Sequence, residues 1–133
     1  MPKVIEASIG KGHYKTIVSN GKIDLPADEP LISGGTEKGF SPSELLYSAL
    51  ASCTCITLRM YADRKQWPLE GVKVVLSQER ATEENGGGVI LEQDIELIGD
   101  LSIEQRARLL DISKHCPVHQ LLAQPINVRN ILV

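Results

Sequence analysis

Ser41-Pro42-Ser43-Glu44-Leu45-Leu46-Tyr47-Ser48-Ala49-Leu50-Ala51-Ser52-Cys53 opens the stretch that decides the architecture. Ser41 reads as a helix N-cap, Pro42 as the first helical residue and Glu44 as the third, the pattern of a capping box. No further Pro or Gly occurs until Pro68. The spacing therefore predicts a helix of about 25 residues, roughly 38 Å long. Leu46, Ala49, Leu50, Cys53, Ile56, Thr57 and Met60 recur at helical spacing and are expected to form its buried stripe. Ser48, Ala49, Ala51 and Ser52 keep the middle slim, so neighbours can approach closely. Asp63, Arg64 and Lys65 mark a solvated end.

On the amino-terminal side, residues 4–9 and 13–19 read as a hairpin around Gly10-Lys11-Gly12. Asn20-Gly21 is a strong turn dipeptide, followed by a short strand at 22–25 and a loop at 26–30. Residues 33–39 are Gly-rich and read as flexible. On the carboxy-terminal side, 71–81 and 88–98 form two β-rich runs, a long hairpin turning near Gly86-Gly87. Ser102-Ile103-Glu104-Gln105 starts a second helix with its own capping box, running to about His115. Pro117 restarts a short helix, and 126–133 reads as a final strand. The order βββ-α-ββ-α-α-β points to an α+β fold. With no repeat and no linker, residues 1–133 read as a single domain.

Composition narrows the function. The chain has 133 residues and a net charge of −3, with 42% hydrophobic, 23% charged and 4% aromatic residues. Its mass is 14.5 kDa and its pI about 5.6. A compact chain of this mass exposes about 6,900 Å² and buries roughly two-thirds of its unfolded surface, enough for a core without zinc or disulfides. The acidic balance and few aromatics argue against nucleic-acid binding. No apolar run of membrane-spanning length is evident, so no membrane association is expected. Residues 1–10 alternate rather than form a signal core. Three cysteines, an odd number, fit a reducing compartment, and a cytoplasmic location is expected.

The chemistry rests with the cysteines. Cys53 lies on the apolar stripe, where a thiol is ordinarily a small core residue. Cys55, two residues on, points about 200° away, so Cys53 and Cys55 do not form a metal claw. Cys116 precedes Pro117 at a helix start, where amides and the helix dipole favour a thiolate. His115, Cys116 and His119 supply only half of a zinc site, and nothing at zinc-finger spacing completes it. If the fold brings Cys53 and Cys116 together, they make a redox pair. One thiol attacks an O–O bond and becomes a sulfenic acid, and the other condenses with it to a disulfide. Glu44 is foremost a helix N-terminal charge; a catalytic part requires a partner from another element. Leu50 and Met60 are candidates either for a subunit interface or for a pocket that takes an alkyl tail.

Three segments together resemble the OsmC/Ohr family, the osmotically inducible and organic hydroperoxide resistance proteins. They are Ser41-Pro42-Ser43-Glu44-Leu45-Leu46, Ala49-Leu50-Ala51-Ser52-Cys53-Thr54 and His115-Cys116-Pro117-Val118-His119. Thr57-Leu58-Arg59-Met60-Tyr61-Ala62 and Trp67-Pro68-Leu69 are similar to its OsmC-like branch. The resemblance implies β-sheets around a long central helix and an intertwined homodimer with active sites at the subunit interface. It implies a thiol-dependent peroxidase acting on organic hydroperoxides without a cofactor or metal, with a lipoyl-type dithiol as reductant. Cys53 matches the peroxide-attacking cysteine and Cys116 the resolving one, with Glu44 as the nearest match to a catalytic acid. Two positions depart from the pattern. Ser43, not an acid, directly follows Pro42, and no Arg precedes Arg59. The alternative is a non-catalytic protein on the same fold that holds a small apolar ligand.

Overall fold

The computed structural model describes residues 4–133; the first three positions of the 1–10 reading lie outside them. The chain divides into two compact units, Met1–Ser48 and Ala49–Val133. The fold is mixed α+β, with one long helix and two small sheets.

In the first unit, β1 (Glu6–Ser8), β2 (Thr16–Ser19) and β3 (Asp24–Ala27) form an antiparallel meander in which Ala7 faces Val18 and Val18 faces Leu25. The third strand lies two residues later than the sequence suggests. Pro26 pairs with Ile17 inside it. It is tolerated because β3 is an edge strand, where a missing N–H costs no ladder bond. The Gly-rich segment after it, read as flexible, is organised around Asp28. This buried carboxylate accepts from the amides of Tyr14, Glu29, Thr36 and Lys38 and from the Thr36 hydroxyl. Gly35 permits the close approach, since a Cβ there would overlap the Glu29 carbonyl.

The helix α1 spans Pro42–Lys65, 24 residues. Its start carries the expected reciprocal cap: Ser41 N–H donates to Glu44 at 2.9 Å and Glu44 N–H to the Ser41 hydroxyl at 3.3 Å. It stops at Gln66, which takes the left-handed conformation (φ 57°). Trp67 N–H then reaches back to the Ala62 carbonyl and Gln66 N–H to Asp63, the two bonds of a Schellman motif. Trp67 packs edge-on against Tyr61, completing the stop.

In the second unit, β4 (Leu69–Arg80) and β5 (Val89–Gly99) form the long hairpin, with Val74 opposite Ile95. Positive φ at Gly86, Gly87 and Gly88 makes the turn. The helix α2 (Ile103–Ser113) is capped by Ser102 and Gln105 as read, and α3 covers Pro117–Leu122. Leu58, Tyr61 and Ala62 of α1 join Leu69, Leu101, Leu109 and Ile112 in the core, with Trp67, Val72, Ile95 and Leu97 at its margin.

Four expectations need correction. The buried positions of α1 are Leu50, Thr54, Leu58, Tyr61 and Ala62, rotated from the expected stripe, while Ile56 and Met60 are 54% and 62% exposed. The helix is apolar or small around most of its circumference, so spacing alone does not choose the face. Residues 126–133 form no strand, because no sheet edge among the described residues pairs with them. Val128, Ile131 and Leu132 stand exposed there. The chain exposes 10478 Å², well above the area expected for its mass. Finally, α1 is long and apolar enough to cross a membrane by length and composition, with a mean hydropathy of 1.2 over 18 residues. Leu45, Leu46, Leu50, Ile56 and Leu58 carry most of that value, and the alanines and cysteines between them add to it.

Candidate thiol site

Cys53 sits on α1 and is half-buried. Its sulfur lies 4.0 Å from the Thr57 hydroxyl, one turn further on. Cys116 comes from the break between α2 and α3. His115 N–H and Cys116 N–H still reach back to Ile112 and Ser113, and Pro117 then starts α3. This break turns Cys116 inward, where it is fully buried.

The two thiols meet. Burial, first, pushes the Cys116 thiol above the ordinary cysteine range, and its hydrogen bond to Cys53 and the charge on Cys53 push further the same way. The amides of His119 and Val118 at the start of α3 act in the opposite sense. The side chain forms no regular cap there. The helix start, read as favouring a thiolate at Cys116, is therefore outweighed. The surroundings thus shift Cys116 toward its protonated form.

The other candidates lie elsewhere. The Cys55 sulfur is 4.0 Å from the Val72 carbonyl of β4, so Cys55 is turned toward the hairpin. Glu44 is engaged with Ser41, whose backbone and side-chain hydrogen bonds lower its pKa. Arg59, the first arginine in the chain, donates to Asp63 and to the Leu69 carbonyl. His115 is exposed and His119 half-buried. Among the described residues, no group of three or more His, Cys, Asp or Glu is arranged to hold a metal ion.

Two clefts are lined by residues close to Cys53 and Cys116 in the chain. One, of about 490 Å³, is lined by Thr57, Met60, Asp63, Arg64 and Pro117, the residue after Cys116. The other, of about 240 Å³, is lined by three residues of β5, Val89, Leu91 and Gln93, together with Leu50, His119, Leu122 and Ala123. Met60 and Leu50, singled out together in the sequence, thus belong to different clefts. The sequence reading passed over Thr57 as a polar neighbour of Cys53. The signal was its place four residues on, one helical turn away.

The model of the OsmC-like protein family matches residues 35–130. The chain belongs to the OsmC-like family. Its fold is similar to that of an OsmC-like protein from Mycoplasma pneumoniae, with a TM-score of 0.75 and 22% identity over 92% of this chain and 88% of that one. It is also similar to an organic hydroperoxide resistance protein OsmC from Legionella pneumophila, with a TM-score of 0.63 and 18% identity over 92% and 89%. A third is an organic hydroperoxide resistance protein from Elizabethkingia anophelis, with a TM-score of 0.62 and 18% identity over 88% and 84%. No curated protein sequence matches this OsmC-like chain. At these identities the structures speak for the fold, and activity has to be argued from the site.

Proposed function

We propose that this OsmC-like chain is a thiol-dependent peroxidase that reduces organic hydroperoxides through a Cys53–Cys116 cycle. The observation that carries the reading is the contact of the two thiols, with Cys116 fully buried beside the half-buried Cys53. In the first step the Cys53 thiolate attacks the terminal peroxide oxygen. The O–O bond breaks, the alkoxide leaves and takes a proton from solvent, and Cys53 becomes a sulfenic acid. In the second step the Cys116 sulfur attacks the Cys53 sulfur. The sulfenic oxygen leaves as water with the Cys116 proton, and a disulfide remains. A dithiol, of the lipoyl type, returns both thiols by exchange and is itself oxidised. Glu44 contributes by fixing the start of the helix that carries Cys53.

The reading includes a homodimer. Ile56 and Met60 lie open on α1, the 126–133 segment is apolar and unpaired, and the exposed area exceeds expectation by about 3,600 Å². A standard interface takes only about 800 Å² from each partner. A cytoplasmic location suits three free thiols.

The test is titration of the reduced protein with cumene hydroperoxide, followed by thiol counting and intact mass. The expected result is loss of Cys53 and Cys116 thiols at one equivalent and a product two hydrogens lighter. Thiols untouched under excess peroxide overturn the cycle. A second reading, an apolar-ligand carrier, is favoured by a separate hollow of about 430 Å³ in the first unit, lined by Ala7, Ile9, Tyr14, Val18 and Leu45 among others. Absence of turnover together with retention of an alkyl ligand by the Cys53→Ser chain selects it.

A further inference from the structure

Three cations gather on one aromatic ring in the second unit. The Arg64 guanidinium, the Lys65 ammonium and the Arg108 guanidinium each stand 5.7 Å from the centre of the Tyr61 ring. Arg64 and Lys65 come from the last turn of α1 and Arg108 from α2. Together with Tyr61 they wall a hollow of about 380 Å³. The charges are not balanced locally. Arg108 donates to the Tyr61 hydroxyl and pairs with Asp111, each at 3.0 Å. Asp63, the other acid nearby, is taken by Arg59 at 2.7 Å. Arg64 and Lys65 form no ion pair among the described residues.

Cations in a last helical turn complement the helix dipole, which accounts for the sign of Arg64 and Lys65. It does not account for a third cation brought to the same ring from another helix. Attraction to the ring face holds each charge in place, and Asp111 offsets that of Arg108, but the repulsion between the Arg64 and Lys65 charges meets no acidic partner among the described residues. This happens in a chain whose net charge is −3. An anion seated among the three relieves that repulsion, and guanidinium groups offer paired donors to a planar or tetrahedral oxyanion.

We propose that this hollow binds an oxyanion, the phosphate or carboxylate head of a small ligand, between the Arg64 and Arg108 guanidinium groups and the Lys65 ammonium. Arg64 also lines the cleft that contains Thr57 and Pro117, but the anion site does not use either thiol and stands whether or not the Cys53–Cys116 chemistry occurs. Trp67, the only tryptophan, lies 5.5 Å from the Tyr61 ring and reports on it.

The experiment follows Trp67 emission and the unfolding temperature of the full chain as inorganic phosphate is added, with ionic strength held constant by chloride. Acetate is titrated in parallel. The expected result is saturation by one of the two anions and a rise in unfolding temperature. Half-saturation should move up about tenfold or more in R64Q/K65Q, the loss of charge-assisted hydrogen bonds. Lys65→Gln alone, at an exposed position at the end of α1, serves if the double variant does not fold. Saturation by phosphate assigns a phosphoryl ligand and saturation by acetate a carboxylate; either supports the site. No saturable response to either anion in both readouts, or half-saturation unchanged in the variants, overturns it.

Discussion

Replacing Ile56 by Glu tests the proposed homodimer at its weakest assumption, that the open face of α1 is covered by a second copy. Ile56 is 54% exposed and Met60, one turn on, 62%. Fully burying such a side chain is worth about 1.5–3 kcal/mol, so covering the exposed half yields about 1 kcal/mol. A two-fold interface uses each residue twice, which makes the Ile56 pair worth about 2 kcal/mol. Ile56→Glu removes this and also strips water from two carboxylates, each costing at least about 1 kcal/mol even where solvent partly reaches it. The total of about 4 kcal/mol corresponds to roughly a thousandfold weaker dimer. Sedimentation velocity over a nanomolar to micromolar concentration series measures the constant directly, and circular dichroism checks that the variant keeps its helices. A wild-type chain that sediments as a monomer at micromolar concentration refutes the reasoning. So does a variant whose dimer constant stays within a few-fold of wild type.

Three further outcomes are expected. Leu58, fully buried in the core, should cost about 3 kcal/mol when changed to Ala, lowering the unfolding temperature by about 10 °C in a thermal melt; a shift of a degree or two contradicts the core assignment. Asp28, held by the Thr36 hydroxyl first and then by backbone amides, has its pKa depressed well below the usual carboxylate range. A depressed folded-state pKa gives stability that is present above about pH 4 and lost as the pH falls below it. Wild type should therefore lose stability more steeply than Asp28→Asn on acid titration, and parallel curves count against the role of the latch. In Cys116→Ser, one equivalent of hydroperoxide should leave Cys53 one oxygen heavier and open to dimedone; a chain that still forms a disulfide through Cys55 contradicts the proposed resolving partner.

The elements whose signals are local were legible. Ser41, Pro42 and Glu44 mark the start of α1 to the residue, and Ser102 and Gln105 do the same for α2, because a cap is made within one turn. The β4–β5 hairpin follows from two strand-like runs around glycines. What depends on distant partners was not legible. The inward face of α1 is chosen by β4, β5 and α2, and a helix with small and apolar residues on most sides does not announce it. The 126–133 run has strand composition but pairs with no strand among the described residues. Pro26 looked like a breaker because sequence does not show which strand lies at an edge. The juxtaposition of Cys53 and Cys116 came only through family resemblance. The protonation of Cys116 came through neither route, since helix-start geometry is local whereas burial is tertiary.

That protonation has a consequence for how the chain survives in a cell full of electrophiles. A thiol nucleophile is only as reactive as its ionised fraction, and burial shifts Cys116 toward its protonated form. Aldehydes, quinones and alkylating agents that consume exposed thiolates find little to attack there. The second half of the proposed cycle is thus stored in an inert form, and a sulfur brought against it from α1 is the electrophile best placed to reach it. Selectivity of this kind needs no specificity pocket: it comes from the short break between α2 and α3, which hides one sulfur atom and aims it at a single neighbour.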